Sequence, residues 1–184
     1  MTRLAPTSHR VPLRRTLLWL LCAWLLLTTC LWAQHDERAV RAAFVYNLTK
    51  YVEWPQADKE LIIGFVGEGG MGDTLQKIVA GKTSDTRKLR VILDPPDDQR
   101  CDIIYVAYSS PKKTQAVLSK LRHRSTLSVG ETSDFTRDGG MVGLIRDSDQ
   151  IQIQVNLEAA QAAGLKISSR LLNLAVIVRS KGGS

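Results

Sequence analysis

Hydrophobic and polar positions follow two different periods along this chain. Val40, Phe44, Leu48, Tyr51 and Val52 recur at helical spacing and predict a helix from about Glu37 to Glu53. Pro55 ends it, because the residue before a proline is pushed out of the helical region. That stripe is the expected core-facing surface, while Tyr46, Lys50 and Glu53 project elsewhere. The period then shortens. "LIIGFVG" predicts a buried strand, and a glycine-rich turn leads from it into the helix "MGDTLQKIVAG", stopped at Gly81. "KLRVILD" and "CDIIYVAY" are two more short apolar strands, separated by the turn "PPDDQR". "SPKKTQAVLSKLRHR" predicts a helix with Ser110 as cap, Pro111 at its first position and Val117, Leu118 and Leu121 on its apolar face. "STLSVG" reads as a short strand.

The order changes after that. "GGMVGLIRDSDQIQIQVN" predicts a hairpin turning at Asp147-Ser148-Asp149, with Ile151, Ile153 and Val155 alternating against Gln150, Gln152 and Gln154. "LEAAQAAG" predicts a short helix and "SSRLLNLAVIV" another, begun at Ser168 or Ser169. Strands alternating with helices imply a three-layer α/β fold. The expected architecture is a mainly parallel sheet with an added antiparallel hairpin and C-terminal helices.

The opening residues change the reading of charge. "MTRLAPTSHRVPLRR" carries four arginines and no acid, and "TLLWLLCAWLLLTTCLWA" follows as an apolar run. This is the pattern of a secretory signal peptide over residues 1–33, cleaved near Ala33-Gln34, with residues 34–184 forming one exported domain. An uncleaved signal anchor, twin-arginine export through Arg14-Arg15 and lipoprotein processing at Cys30 are the alternatives. The formal net charge is +7 for the whole chain; without those four arginines, 21 basic residues stand against 18 acids, or about +3. A nucleic-acid protein normally shows a basic patch or stripe, which this dispersed charge does not supply. Cys101 is the cysteine left in the exported domain, so no internal disulfide is expected and a buried thiol is favoured.

Chemical motifs are sparse. "GEGGMG" places Gly67, Gly69 and Gly72 in a G-x-G-x-x-G pattern directly after a strand, with Asp94 lying 22 residues beyond Gly72. Glycines there would let a backbone approach a pyrophosphate at a helix N-terminus. The plain reading is a strand-to-helix turn; a dinucleotide or small-anion site is the alternative. His35 and His123 do not make a metal set, and Asp94, Asp97, Asp98 and Asp102 flank two prolines without calcium-loop spacing. Glu53, Glu68 and Glu131 are scattered, and no G-x-S-x-G occurs. No metal, no cofactor and no catalysis are expected.

The linear order of "RAAFVYNLTKYVEWP", "GEGGMGDTL", "CDIIYVAYS", "LSVGETSDFTRDGGMVGLI" and "IQIQVNLEAAQAAGLKISSRLLNLA" resembles the YfiR family of periplasmic proteins over residues 39–178. The resemblance implies regulation rather than turnover. Such proteins repress an inner-membrane diguanylate cyclase by contacting its periplasmic sensor part, and an outer-membrane lipoprotein of the YfiB type can sequester them. It also implies a disulfide from the cysteine of "CDI" to one by the helix after the first strand; Met71 to Ala80 contain none, so that bridge is not carried over. A Cys101–Cys101 dimer would require an exposed strand end.

Two sets of residues are candidates for contact. Tyr46, Lys50, Glu53 and Trp54 are the expected partner or homodimer surface, since aromatics beside charges suit an interface. Gln152, Gln154 and Asn156 with Lys166, Ser168 and Arg170 are a candidate polar-ligand set, whose plain alternative is helix capping.

Overall fold

The computed structural model describes residues 37–56, 58–148 and 150–181. The signal-peptide expectation falls on residues outside this range. Among the described residues no helix is long and apolar enough to cross a membrane.

The first helix, α1, is described over residues 37–48. It stops five residues before the expected end at Glu53. Thr49 turns its hydroxyl onto the Tyr46 carbonyl at 2.6 Å, and the following amides of Lys50 and Tyr51 bond three residues back. This tighter winding closes the helix. Val52–Glu53 then form strand β1 instead, which pairs with a distant strand, β9 (Lys166–Ile167). The buried side of α1 is Ala42, Val45 and Leu48, while Val40 is exposed and Phe44 only half-buried. The expected stripe was therefore rotated by about one position. The cause is the break at Thr49, which removes Tyr51 and Val52 from the helical count.

The main sheet follows the expected strands. β2 (Glu60–Gly67), β4 (Arg87–Leu93), β5 (Ile103–Ala107), β6 (Leu127–Gly130) and β7 (Val142–Asp147) run parallel in the spatial order β4-β2-β5-β6-β7. Helices α2 (Met71–Val79) and α3 (Pro111–Leu121) make the crossovers after β2 and β5. A short strand, β3 (Thr83–Ser84), turns back onto β4 at one edge.

At the other edge β8 (Gln150–Val155) pairs antiparallel with β7, closing the expected hairpin at Ser148. Asn156 caps α4 (Leu157–Ala162), and Ser168 caps α5 (Ser169–Leu172). The expected helix over "SSRLLNLAVIV" is thus only four residues long. Its β-branched tail becomes β10 (Val176–Ile177), a parallel edge strand on β8.

Alternation along β5 divides the core into two. Ile103, Tyr105 and Ala107 join α1 and α2 on one face, in a cluster that continues through Leu144, Ile153 and Val155 of the hairpin. Cys101, Ile104 and Val106 join Leu118 and Leu121 of α3 and the fully buried Phe135 on the other. The sheet with a layer on each side is the expected three-layer architecture. Phe135 accounts for two glycines: a Cβ at Gly140 would stand 2.2 Å from its ring, and one at Gly130 2.3 Å, while Gly139 beside Gly140 has φ +103 and open space around it.

Candidate functional site

The residues singled out around the first helix end serve two different contacts. The Tyr46 ring is met by the ammonium groups of Lys50 and Lys82, at 4.4 and 4.5 Å from its centroid. Trp54 belongs elsewhere. Its Nε1 donates to the Asp102 carbonyl at 3.0 Å, and the Arg87 guanidinium lies 5.7 Å over its ring. Arg87 in turn pairs with the Asp102 carboxylate at 2.7 Å, and that carboxylate accepts the Ile62 amide at 2.8 Å. Trp54 is therefore built into a buried ion-pair cluster joining β1 to the start of β5. Lys50 and Glu53 remain exposed.

The β1–β9 ladder brings members of both candidate sets together. Glu53 stands opposite Lys166, and the Ser168 amide donates to the Tyr51 carbonyl at 2.9 Å. The Ser168 hydroxyl accepts the Leu171 amide as a helix cap, and Arg170 is exposed one residue into α5. The β8 row has other partners. Gln154 accepts from the Thr136 hydroxyl at 3.0 Å and donates to Gln152 at 3.2 Å. Asn156 is fully buried, donates to the Thr136 carbonyl and the Ser180 hydroxyl, and accepts the Ala159 amide. Its side chain locks α4, the turn after β6 and the C-terminal segment to one another.

The glycine-rich turn lies at the carboxyl ends of the parallel strands, where the chain order reverses between β2 and β5. Open α/β sheets usually bind ligands in the crevice at such a point. Here the two strands stay paired to their tips: Gly67 faces Ala107, and the Glu68 amide donates to the Ala107 carbonyl at 3.1 Å. A Cβ at Gly67 would stand 2.6 Å from that carbonyl oxygen. One at Gly72 would stand 2.6 Å from Leu93, so this glycine lets α2 sit close to the sheet. Gly69 has φ +88 and open space around it, the requirement of a left-handed turn. Asp94 directly follows β4 and its amide donates to the Phe65 carbonyl at 2.8 Å. Glu68 reaches Lys113 of α3 at 3.0 Å across the rim. Each of the three glycines has a conformational or packing role.

Two other features were not anticipated. Tyr105 is fully buried and donates to Glu131 at 3.1 Å, while Arg41 of α1 meets the same carboxylate at 3.0 Å. This ties α1 to the carboxyl end of β5 and β6. The second feature is an apolar edge: Leu174, Val176 and Ile177 are 73%, 48% and 51% exposed in β10 and just before it. A groove beside them takes in Phe44, Ile151 and Leu174. The alternation of "LAVIV" with nothing polar between gave no sign that one of its sides would face solvent.

Cys101 is a buried, free thiol. Burial pushes its pKa up to about 11, and the neighbouring Asp102 charge adds to the rise. Among the described residues no group of three or more His, Cys, Asp or Glu is placed to hold a metal ion.

The family model for YfiR/HmsC-like proteins matches residues 38–176. The chain belongs to the YfiR/HmsC-like family. The match takes in every strand and helix described above except the first residue of α1 and the end of β10. No match was found among curated proteins. Membership in this family makes the chain a regulator connected with diguanylate cyclase signalling.

Proposed function

We propose that this protein is an exported periplasmic repressor. It binds the periplasmic sensor part of an inner-membrane diguanylate cyclase and lowers cyclic-di-GMP synthesis on the other side of the membrane. The observation that supports this most strongly is the family match over residues 38–176. In this reading residues 1–33 direct export and residues 34–184 form the working domain, with a YfiB-type lipoprotein as a competing partner and a homodimer as a further contact.

Repression of this kind needs only a difference in affinity. A repressor that binds the inactive cyclase more tightly than the active one shifts the equilibrium toward it, and a few kcal/mol is enough. Such a binder requires a surface that can lose water on contact. The β10 edge, with Leu174, Val176 and Ile177 exposed, suits that role, because an open strand edge and exposed apolar side chains both favour association. Lys50 and Glu53 on the far side of α1's end, with Lys166 opposite Glu53, are the charged contacts we assign to the same or a second partner.

The direct test is cross-linking in intact cells. A photo-reactive residue placed at Leu174 is expected to capture a membrane-bound cyclase, identified by mass spectrometry. Capture of another class of membrane sensor, with no cyclase among the products, would overturn the assignment of partner.

A further inference from the structure

The connection from β4 to β5 crosses the sheet without a helix. Residues 94–102 leave the carboxyl end of β4, pass over β2 on the α3 face and enter β5 at its amino end. Parallel crossovers usually carry a helix at this place. Here Pro95 sits down on β2 instead: a Cβ at Gly64 would stand 2.9 Å from Pro95 and 3.1 Å from the Cys101 sulfur. Between this low loop and α3 the α3 face keeps a cavity of about 590 Å³.

The cavity has an apolar floor and a charged rim. Val66 of β2, Ile104 of β5, and Val117 and Leu121 of α3 form the floor. At the rim the two walls are tied together. The Lys120 ammonium donates to both oxygens of Asp97, at 2.8 and 2.9 Å, and Arg124 donates to the Asp97 carbonyl at 3.0 Å. Arg100 is engaged by Asp58 at 2.9 Å. Lys120 and Arg100 are thus paired with carboxylates and Arg124 is held on a backbone carbonyl, whereas Asp94 and Asp98 form no ion pair among the described residues.

We propose that this cavity binds a small amphipathic molecule, with an apolar body on the Val66–Ile104–Val117–Leu121 floor and a hydrogen-bond-donating or cationic end toward Asp94 and Asp98. Its volume lies within the range of about 300–1,000 Å³ usual for small-molecule sites. The ties from Asp97 to α3 span the opening, which favours a compact molecule over an inserted helix. The site goes beyond the repressor reading and does not depend on it.

The test uses the purified full chain and the fluorescent probe N-phenylnaphthylamine, an aromatic body with one N–H donor. Its sulfonated analogue, anilinonaphthalene sulfonate, keeps the rings and adds an anion. Saturable one-to-one binding of the amine is expected, about tenfold or more tighter than that of the sulfonate. Val117→Trp, which fills the floor, is expected to abolish it. Because that variant can fail to fold, the parent chain provides a second readout: bound amine is expected to slow reaction of Cys101 with N-ethylmaleimide several-fold. Absence of saturable binding overturns the proposal. So do equal affinity for the sulfonate, undiminished binding in a folded Val117→Trp chain, and unchanged Cys101 reactivity at saturation.

Discussion

Arg87 and Asp102 make a buried ion pair of 2.7 Å, and Trp54 closes it from one side while the Ile62 amide satisfies the second carboxylate oxygen. The pair joins β4 to the residue before β5, and the Trp-Pro end of the opening segment is held against it. An aromatic residue that resembled a docking group in the sequence is therefore a clamp. Removing one partner leaves the other charge buried without compensation, a loss of ~3–5 kcal/mol. Asp102→Ala is expected to destabilise by that order in urea denaturation. Arg87→Met combined with Asp102→Leu should recover part of it. A loss under about 1 kcal/mol in Asp102→Ala would contradict the clamp.

The ring of Phe135 occupies the space that side chains at Gly130 and Gly140 would need. Phe135→Ala is expected to cost ~3–5 kcal/mol, as for other buried aromatics. Gly140→Ala should also destabilise, and pairing it with Phe135→Leu should relieve part of the overpacking. Thermal melting of Phe135→Ala, Gly140→Ala, Phe135→Leu and the Gly140→Ala/Phe135→Leu chain checks this. Simple additivity of the Gly140→Ala and Phe135→Leu losses would show that residue 140 and the ring do not meet.

Cys101 gives the stability a pH dependence at the alkaline end. Its thiol holds a proton up to about pH 11 in the fold, against an ordinary value of 9.0, chiefly because it is buried. The unfolded chain loses that proton first, so stability from this group is complete below about pH 9 and is lost as pH rises through about 11. The total is on the order of 2 kcal/mol. Denaturation curves for the parent chain and Cys101→Ala, taken from pH 8 to 11, should converge by about that amount. Parallel curves would show that the thiol titrates normally.

Exposed apolar residues at the β10 edge offer a separation of stability from function. Leu174→Glu and Ile177→Glu are expected to leave stability within about 0.5 kcal/mol, since both side chains face water. In cells each should relieve repression. Lys50→Glu and Glu53→Lys test the charged set in the same assay. Full repression by both β10 variants would remove that edge from the proposed interface.

The sheet was legible because its strands are short apolar runs bounded by proline, glycine and acidic turns, and because helices α2 and α3 follow β2 and β5. "LIIGFVG", "CDIIYVAY" and the alternating "QIQIQV" all became strands where their patterns placed them. The misread elements are those decided by distant partners. Val52 and Glu53 carry a helical spacing, yet Ile167 and Lys166 draw them into a ladder. Val176 and Ile177 follow a capped helix, yet β8 offers them an edge. The Arg87–Asp102 pair and the cavity beside α3 join segments that no local pattern connects. Two caps were legible, since Asn156 and Ser168 stand directly before helical segments and bond the amides three residues on, whereas Ser110 stands before α3 with no side-chain capping bond.

The measurement that bears most directly on the account is cellular cyclic-di-GMP with this gene deleted and then restored. The account predicts a rise on deletion, reversed by the full-length chain but not by one lacking residues 1–33. An unchanged level, in cells shown to make both this protein and a membrane-bound cyclase, would contradict the role as repressor.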